Sequence, residues 1–180
     1  EDPPIDRPAD IIDSKDVLKR KQTAVMGELD KYKYRFTGRG DQQTGLSYDE
    51  TFAPATQLKS MRLLFILSIL KCLTIFHFDV SAAFLNSNLK YDVWIKLPEG
   101  FHPTHAYAKL LKSLYGLKQA AHDWYENQHQ FVMSYDARFQ RSAVEPCWYF
   151  IDDPATGLVV HVLVHVDDYM FAMNSKQFYE

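Results

Sequence analysis

Three aspartates in this sequence follow apolar, strand-like segments, and residues of this type at such positions could bind metal ions. Asp167 and Asp168 end the segment VVHVLVHVDD, and Asp79 ends the segment LTIFHFD, which is rich in β-branched and aromatic residues. Adjacent carboxylates repel each other and resist burial unless a positive charge lies between them. Mg²⁺ takes carboxylate oxygens, waters and phosphates as ligands, and two such ions stabilise the attacking and leaving oxygens of an in-line phosphoryl transfer. If the two segments are neighbouring strands, about 4.8 Å apart, the three carboxylates converge on such a site.

Two other interpretations of these residue types stay open at this point. Adjacent aspartates are common in solvated turns, and the pair Asp152 and Asp153 in DDPATG is typical of such a turn. An alternating strand would also place His161, His165 and Asp167 on one face, which resembles the two-histidine, one-carboxylate set of non-haem iron enzymes. The residues alone therefore leave a phosphoryl-transfer site, a ferrous site and a plain surface turn as alternatives.

The composition describes a mildly acidic chain with one basic segment. Hydrophobic residues make up 47% of the 180 residues and charged residues 24%, which fits one domain, or one and a small part, with a sizeable core. The formal net charge is -3, so the chain as a whole is not a basic nucleic-acid binder. Over residues 15–39, however, eight lysines and arginines stand against three acidic residues, which leaves five net positive charges. This segment is where a polyanion could be held.

An export signal, a membrane span and a disulfide framework are not indicated. The first ten residues, EDPPIDRPAD, are acidic and rich in proline, and the longest fully apolar run, 63–67, is far too short to span a bilayer. Cys72 and Cys147 lie far apart in no C-x-x-C pattern. We therefore expect a reducing, cytoplasmic location, no membrane partner, and a chain that is a piece of a larger translation product.

Hydrophobic periodicity predicts the elements that would position the aspartates. A disordered lead-in over 1–10 precedes a basic hairpin, and the later elements alternate as helix, strand, hairpin, helix, strand and hairpin. This order favours an α+β fold with an antiparallel sheet and helices packed on one face. The predicted elements are a basic hairpin over 11–40, a helix over 56–72 capped by Thr56, a strand ending at Asp79, a strand over 92–97, a helix over 121–135, strands joined by the turn 152–157, and a hairpin tip at HVDDYM.

Four blocks of the sequence resemble the reverse transcriptase of copia-type retrotransposons. They are YKYRFTGRGDQQTGLSYDETFAPATQLKSMRLL, HFDVSAAFLNSNLKYDVWIKLPEGF, KLLKSLYGLKQAAHDWYE and LVHVDDYMFA, in the family's order and spacing. The resemblance covers residues 11–173 and implies the fingers and palm of a right-hand polymerase. By that resemblance, 11–78 and 92–120 are mostly fingers, 79–91 and 121–175 are mostly palm, and the chain stops before the thumb.

The resemblance also implies roles for single residues. Asp79, Asp167 and Asp168 match the catalytic, metal-binding triad, which holds two Mg²⁺ ions with Mn²⁺ as a substitute. The remaining matches are Lys33 and Arg35 for the triphosphate, Phe84 for exclusion of a ribose 2′-hydroxyl, Gly116, Lys118 and Gln119 for the template and nucleotide pocket, and His165, where the family usually has tyrosine, next to the primer end.

The function implied is Mg²⁺-dependent nucleotidyl transfer from a dNTP to a primer 3′-hydroxyl on an RNA or DNA template. The implied partners are RNA template, DNA primer, dNTP and the rest of the Pol polyprotein with its thumb and RNase H regions, and no membrane. The implied location is a cytoplasmic virus-like particle with nuclear access. The fingers depart from the family pattern, for example at Tyr34, where the family has a small residue. An inactive palm that serves only as a nucleic-acid-binding or assembly module is therefore the alternative.

Overall fold

The protein is a mixed α+β chain whose strands pair mainly antiparallel, as the sequence predicts. The computed structural model describes Pro3, residues 10–22 and residues 29–174, so most of the predicted lead-in over 1–10 lies outside the described residues. In chain order the elements are β1 (Asp10–Gln22), β2 (Leu29–Gly38), α1 (Leu58–Leu70), β3 (Thr74–Asp79), β4 (Val93–Lys96), β5 (Tyr107–Lys109), α2 (Ala120–Tyr135), β6 (Gln140–Arg141), β7 (Trp148–Asp153), β8 (Leu158–His165) and β9 (Asp168–Met173).

The chain forms two compact units, each made of two segments. Unit 1 comprises residues 1–52 and 84–123, and unit 2 comprises residues 53–83 and 124–180. The sequence-based division into fingers and palm is of another kind, since it follows the resemblance to the family, and it stays a prediction. In the structure β3 pairs along its whole length with β9, which places 53–83 in unit 2.

Unit 1 is built on a four-stranded sheet in the order β2-β1-β4-β5. The start of β1 pairs in parallel with β4, and from Ser14 onward β1 pairs antiparallel with β2. Asp10 is buried at the start of β1, where it accepts hydrogen bonds from the Thr44 backbone N at 2.8 Å and the Thr44 hydroxyl at 2.6 Å. The core beside this sheet contains Ile12, Val93, Ile95, Leu114, Leu117 and Ala120.

Unit 2 is built on a five-stranded antiparallel sheet in the order β3-β9-β8-β7-β6, and its helices cover opposite faces. Leu64 of α1 packs with Leu163 and Ala172 on one face, whereas Gln128 of α2 accepts a hydrogen bond from Tyr169 on the other. The prediction that the helices pack on one face is therefore wrong. The physical reason is visible in β8, where residues 160–164 are buried in succession, as in strands covered on both sides.

The start of α1 also differs from the sequence prediction. Thr56 does not cap the helix, because its hydroxyl donates to the backbone carbonyl of Val164 in β8. The buried carboxylate of Glu145 instead accepts hydrogen bonds from the Gln57 backbone N at 3.2 Å and the Ser60 hydroxyl at 2.6 Å. A negative charge here also compensates the positive end of the helix dipole. Across the described part of the chain, neither helix is long and apolar enough to span a membrane.

Candidate active site

The adjacent aspartates lie at the turn that joins β8 to β9. His165 and Asp168 pair across the two strands, so Val166 and Asp167 are the two central residues of the turn. Val166 has a φ of 58°, in the left-handed region that β-branched residues rarely adopt. The indole N–H of Trp124 donates to the Val166 carbonyl at 2.5 Å and helps to hold this conformation. The turn thus keeps a strained backbone at the position that orients Asp167.

The third aspartate lies directly beside this turn. Asp79 is the last residue of β3 and pairs in register with Asp168, the first residue of β9. The Val80 backbone N donates to the Asp167 carbonyl at 2.8 Å, which fixes the end of β3 against the turn. Opposite residues in an antiparallel pair have their Cβ atoms about 4.5–5.5 Å apart. The structure therefore brings Asp79 and Asp168 together, as the sequence predicts for neighbouring strands.

The charges at this end of the sheet are not balanced by basic residues. Within residues 10–22 and 29–174, no lysine or arginine forms an ion pair with any of the three aspartates. Asp168 Oδ1 is instead hydrogen-bonded to His77 Nε2 at 2.9 Å. His77 precedes Asp79 by two residues, so both side chains lie on the same face of β3. This spacing within a predicted strand is the sequence signal that indicates His77 as a site residue.

The donor set suits a hard cation, but the side chains do not form a complete cage. Carboxylate oxygens of the kind gathered at Asp79 and Asp168 are the preferred protein ligands of Mg²⁺, which usually keeps waters and substrate phosphates as its other ligands. In the described part of the chain, no three His, Cys, Asp or Glu side chains are grouped closely enough to hold an ion by themselves. The residues thus fit a metal that completes its coordination with substrate.

The alternative ferrous set is not assembled. His161 is buried, its Nδ1 accepts a hydrogen bond from the Trp148 indole N–H at 3.3 Å, and burial lowers its pKa. His165 is exposed on the same strand, and Asp167 lies in the turn beyond it. In the part of the chain that the structure describes, these three side chains are not grouped closely enough to hold an ion. His165 instead lies directly opposite Asp168.

In unit 1, Arg35 and Phe84 are joined by a residue that the sequence analysis did not single out. The Arg35 guanidinium carbon lies 5.8 Å from the centre of the Tyr115 ring, and that ring lies 4.7 Å from the ring of Phe84. Phe84 is half-buried against the core of unit 1. Lys33 precedes Arg35 by two residues, so both side chains emerge from the same face of β2. No sequence spacing distinguishes Tyr115 from the other tyrosines.

The loop that follows β2 is fixed by contacts with three residues, which are Gly116, Lys118 and Gln119. Gly116 has a φ of 94°, and a Cβ there would lie 2.1 Å from the carbonyl oxygen of Gly38, so only glycine fits. Lys118 Nζ donates to the Gln43 carbonyl at 2.8 Å, and Gln43 Nε2 donates to Gln119 Oε1 at 3.1 Å. Gln119 is buried. These contacts are internal, and a nucleotide-binding role for the three residues stays a prediction.

Comparisons with known proteins identify the family. A family model described as "Reverse transcriptase (RNA-dependent DNA polymerase)" matches residues 3–179. The chain is 33% identical over 153 residues to the Retrovirus-related Pol polyprotein from transposon TNT 1-94 of Nicotiana tabacum, which covers 83% of this chain and 11% of that protein.

Two further relatives agree. The Pol polyprotein from transposon RE1 of Arabidopsis thaliana is 33% identical over 153 residues, with 82% of this chain and 10% of the relative covered. The Transposon Ty1-H Gag-Pol polyprotein of Saccharomyces cerevisiae is 28% identical over 160 residues, with 81% and 8% covered. No solved structure matches the chain. The chain spans about a tenth of the length of these relatives, and it belongs to the reverse transcriptase (RNA-dependent DNA polymerase) family, as a copia-type retrotransposon region.

Proposed function

We propose that this chain carries the fingers and palm of an RNA-directed DNA polymerase that transfers a nucleotide from a dNTP to a primer 3′-hydroxyl. The observation that carries the proposal is the register that sets Asp79 opposite Asp168, beside a strained turn, with no lysine or arginine ion-paired to either within residues 10–22 and 29–174. Two carboxylates in opposed positions are destabilising unless a cation binds between them. Because the fold retains this repulsion between carboxylates, we expect the site to bind a metal ion.

In this proposal unit 2 supplies the transfer chemistry. Asp79, Asp167 and Asp168 would hold Mg²⁺, with Mn²⁺ as a substitute, and bound ions would neutralise phosphate charge and lower the pKa of the primer hydroxyl. The 3′-oxygen forms a bond to the α-phosphorus, the bond to the bridging oxygen breaks, pyrophosphate leaves, and the hydroxyl proton passes to solvent. His165, which lies opposite Asp168, would contact the primer end.

Unit 1 supplies nucleotide binding in this proposal. Lys33 and Arg35 would bind the triphosphate, since arginine forms paired hydrogen bonds with phosphate oxygens and lysine acts as a point charge. The Tyr115 ring restricts the Arg35 guanidinium to one side of β2, which lowers the entropy lost on binding phosphate. Phe84, held against Tyr115 and the core, has the fixed position that a steric gate against a 2′-hydroxyl requires.

One observation favours the second candidate, an inactive palm that only binds nucleic acid or assembles with other proteins. The three aspartates do not form a complete group of ligands among the described residues. An inactive palm would bind template and primer without extending the primer, and loss of Asp79 would not change that binding.

The test is single-nucleotide extension of a primer–template by the purified chain, with Mg²⁺ titrated from zero. We expect metal-dependent extension that is lost in Asp79→Asn. The matched control is Asp152→Asn, another exposed aspartate in the same sheet, which should extend as the wild type does. Extension that survives Asp79→Asn would refute the metal site, and binding without extension in the wild type would favour the inactive palm.

A further inference from the structure

The outer part of the β1–β2 hairpin is a two-stranded ribbon with different side chains on its two faces. Only residues 10–13 of β1 pair with β4, so from Ser14 onward β1 and β2 pair with each other and with no other strand in the described part of the chain. An isolated two-stranded ribbon cannot bury either face by itself. Each face is therefore available for contact with a partner.

One face of the ribbon is basic. The register pairs Lys19 with Lys33, Lys21 with Lys31 and Val17 with Arg35, and paired residues project from the same face. Like charges directly opposite each other are destabilising in a sheet, so this arrangement is expected only where an anion binds. The basic face comprises Lys15, Lys19, Lys21, Lys31, Lys33 and Arg35.

The other face is aromatic and exposed. Leu18 pairs with Tyr34 and Arg20 pairs with Tyr32, and the exposed fractions of Leu18, Tyr32 and Tyr34 are 67%, 62% and 58%. The Tyr34 hydroxyl donates to Asp16 Oδ1 at 2.6 Å, which fixes that side chain on the ribbon surface. The cross-strand pairs that these side chains form contribute only about 0.2–1 kcal/mol each, and most of their surface stays open to a partner.

We propose that this aromatic face binds single-stranded nucleic acid by stacking of bases on Tyr32 and Tyr34. Residues two apart in an antiparallel strand are about 6.8 Å apart, twice the 3.4 Å spacing of stacked bases, so one base fits between successive rings. Arg20 on the same face and the basic face behind it supply the positive field that attracts a phosphate backbone. The proposal rests on the proposed function only in naming this strand as the template.

The chemistry favours an unpaired strand over a duplex or a protein partner. Bases in a duplex are already stacked on each other and do not present their faces to a ribbon, whereas every unpaired base has a face that a tyrosine can cover. A hydrophobic protein partner would match Leu18 but would not explain the charges on both faces. The binding predicted is sequence-tolerant and weakened by salt.

The test is fluorescence anisotropy of the full chain with a labelled 20-nucleotide oligodeoxythymidine and, in parallel, a labelled 20-base-pair duplex. The double variant Tyr32→Ala, Tyr34→Ala should bind the single strand about 100-fold more weakly, about tenfold for each ring, with the same salt dependence as the wild type. Arg20→Gln, which removes the cation of the aromatic face, should instead lower the slope of log affinity against log salt by about 0.7, the value for one phosphate contact.

The matched control is Tyr32→Phe with Tyr34→Phe, which keeps both rings and removes the hydroxyl bonded to Asp16. We expect it to bind the single strand as the wild type does. Wild-type affinity in the alanine variant, equal losses for single strand and duplex, or a phenylalanine variant as weak as the alanine variant would each overturn the proposal. Circular dichroism and the thermal midpoint establish that each variant folds.

The outcome of this binding test is independent of the outcome of the polymerase test. Binding needs no metal and no turnover, so it should persist in Asp79→Asn. Ring-dependent binding by a chain that never extends a primer would leave the stacking surface intact and refute only the proposed chemistry. Normal extension by the alanine variant, with unchanged oligonucleotide binding, would refute only the stacking surface.

Discussion

Adjacent aspartates lie at both turns that flank β8, and the two pairs differ in their ionic and hydrogen-bond partners. At the β7–β8 turn, Lys71 Nζ lies 3.0 Å from Asp152 Oδ2, and Arg138 Nη1 lies 3.2 Å from Asp153 Oδ2. The Thr156 hydroxyl also donates to Asp153 at 2.7 Å. Every charge of this pair therefore has a cation or a hydrogen-bond donor within the fold.

At the β8–β9 turn, neither Asp167 nor Asp168 has a lysine or arginine partner among the described residues, and Asp79 adds a third negative charge beside them. The two turns also differ in which type of residue has a positive φ. The positive φ of the first turn, 71°, is taken by Gly157, whereas the positive φ of the second, 58°, is taken by Val166.

This difference gives a criterion for recognising a functional pair of carboxylates. A turn that only reverses the chain keeps its charges neutralised and uses glycine where φ is positive. At the β8–β9 turn the described residues give Asp168 only the His77 imidazole and give no lysine or arginine to either aspartate, and the positive φ falls on valine. Both costs are explained if a bound cation and a fixed carboxylate position are needed for catalysis. The Asp-Asp dipeptide itself carries no such information, because both turns contain it.

The largest effect is expected from removing one charge of each pair. Asp168→Asn should lower the rate of primer extension about 10³-fold or more, since metal ions at such sites contribute several kcal/mol to the transition state. Asp153→Asn, its counterpart in the other turn, should leave the rate within a factor of two. Single-turnover extension at saturating Mg²⁺ measures both.

The same variants have a stability signature. Asp168→Asn removes a carboxylate opposite Asp79, so the thermal midpoint without metal should be unchanged or raised. A strong fall in that midpoint would instead show that Asp168 is a structural residue, and the contrast between the two turns would not hold.

Exchange of the residues at positive φ gives the next largest effect. Val166→Gly removes about 1–2 kcal/mol of backbone strain and adds about 0.5–1 kcal/mol of chain entropy cost, for a net gain of up to about 1.5 kcal/mol. Gly157→Val reverses both contributions and should lose up to about 1.5 kcal/mol. No atom lies within 4 Å of a Cβ built on Gly157, so this loss is one of backbone conformation alone.

Urea unfolding measures both changes, and primer extension separates them. Val166→Gly should be more stable yet slower, because the freed turn holds Asp167 less well. Gly157→Val should be less stable with an unchanged rate per folded molecule. A faster Val166→Gly variant would mean that the strain has no part in positioning the carboxylate.

Most features that local patterns predict agree with the structure, and the Thr56 cap is an exception. The α+β class, the two helices, the hairpin at HVDDYM and the proximity of Asp79 to Asp168 all follow from periodicity and turn chemistry. The positions of the helices on opposite faces of the sheet did not follow. The near-continuous apolar run of β8 contains that information, because a strand covered on one side only would alternate.

Contacts between distant segments could not be predicted from one sequence. The Glu145 carboxylate at the start of α1 acts across 85 residues from Ser60, and no local pattern links the two. Tyr115 beside Arg35, and Gln43 beside Gln119, are of the same kind. His77 differs, because its spacing of two from Asp79 in a predicted strand already placed both on one face.

A smaller effect is expected from pH at the neutralised turn. The hydrogen bonds from the Thr156 hydroxyl and the Ala155 backbone N lower the pKa of Asp153 below its ordinary value. A carboxyl whose pKa is lower in the folded chain stabilises the fold above its unfolded pKa of about 3.9, and that contribution is lost as the pH falls through the folded pKa. Urea midpoints of wild type and Asp153→Asn should therefore differ at pH 6, and the difference should shrink as the pH falls below about 3.9. A constant difference would mean that Asp153 acts through packing.

The smallest effect is expected from Lys71→Gln, which removes the cation beside Asp152. Both side chains are substantially exposed, at 40% and 54%, so the ion pair is solvated and its loss should cost about 0–0.5 kcal/mol. The primer-extension rate should not change, because Lys71 neutralises the turn at the other end of β8 from the proposed metal site. A loss of extension without a loss of stability would show that the β7–β8 turn affects catalysis at the β8–β9 turn. The contrast between the two aspartate pairs would then describe one coupled site instead of a structural turn and a catalytic turn.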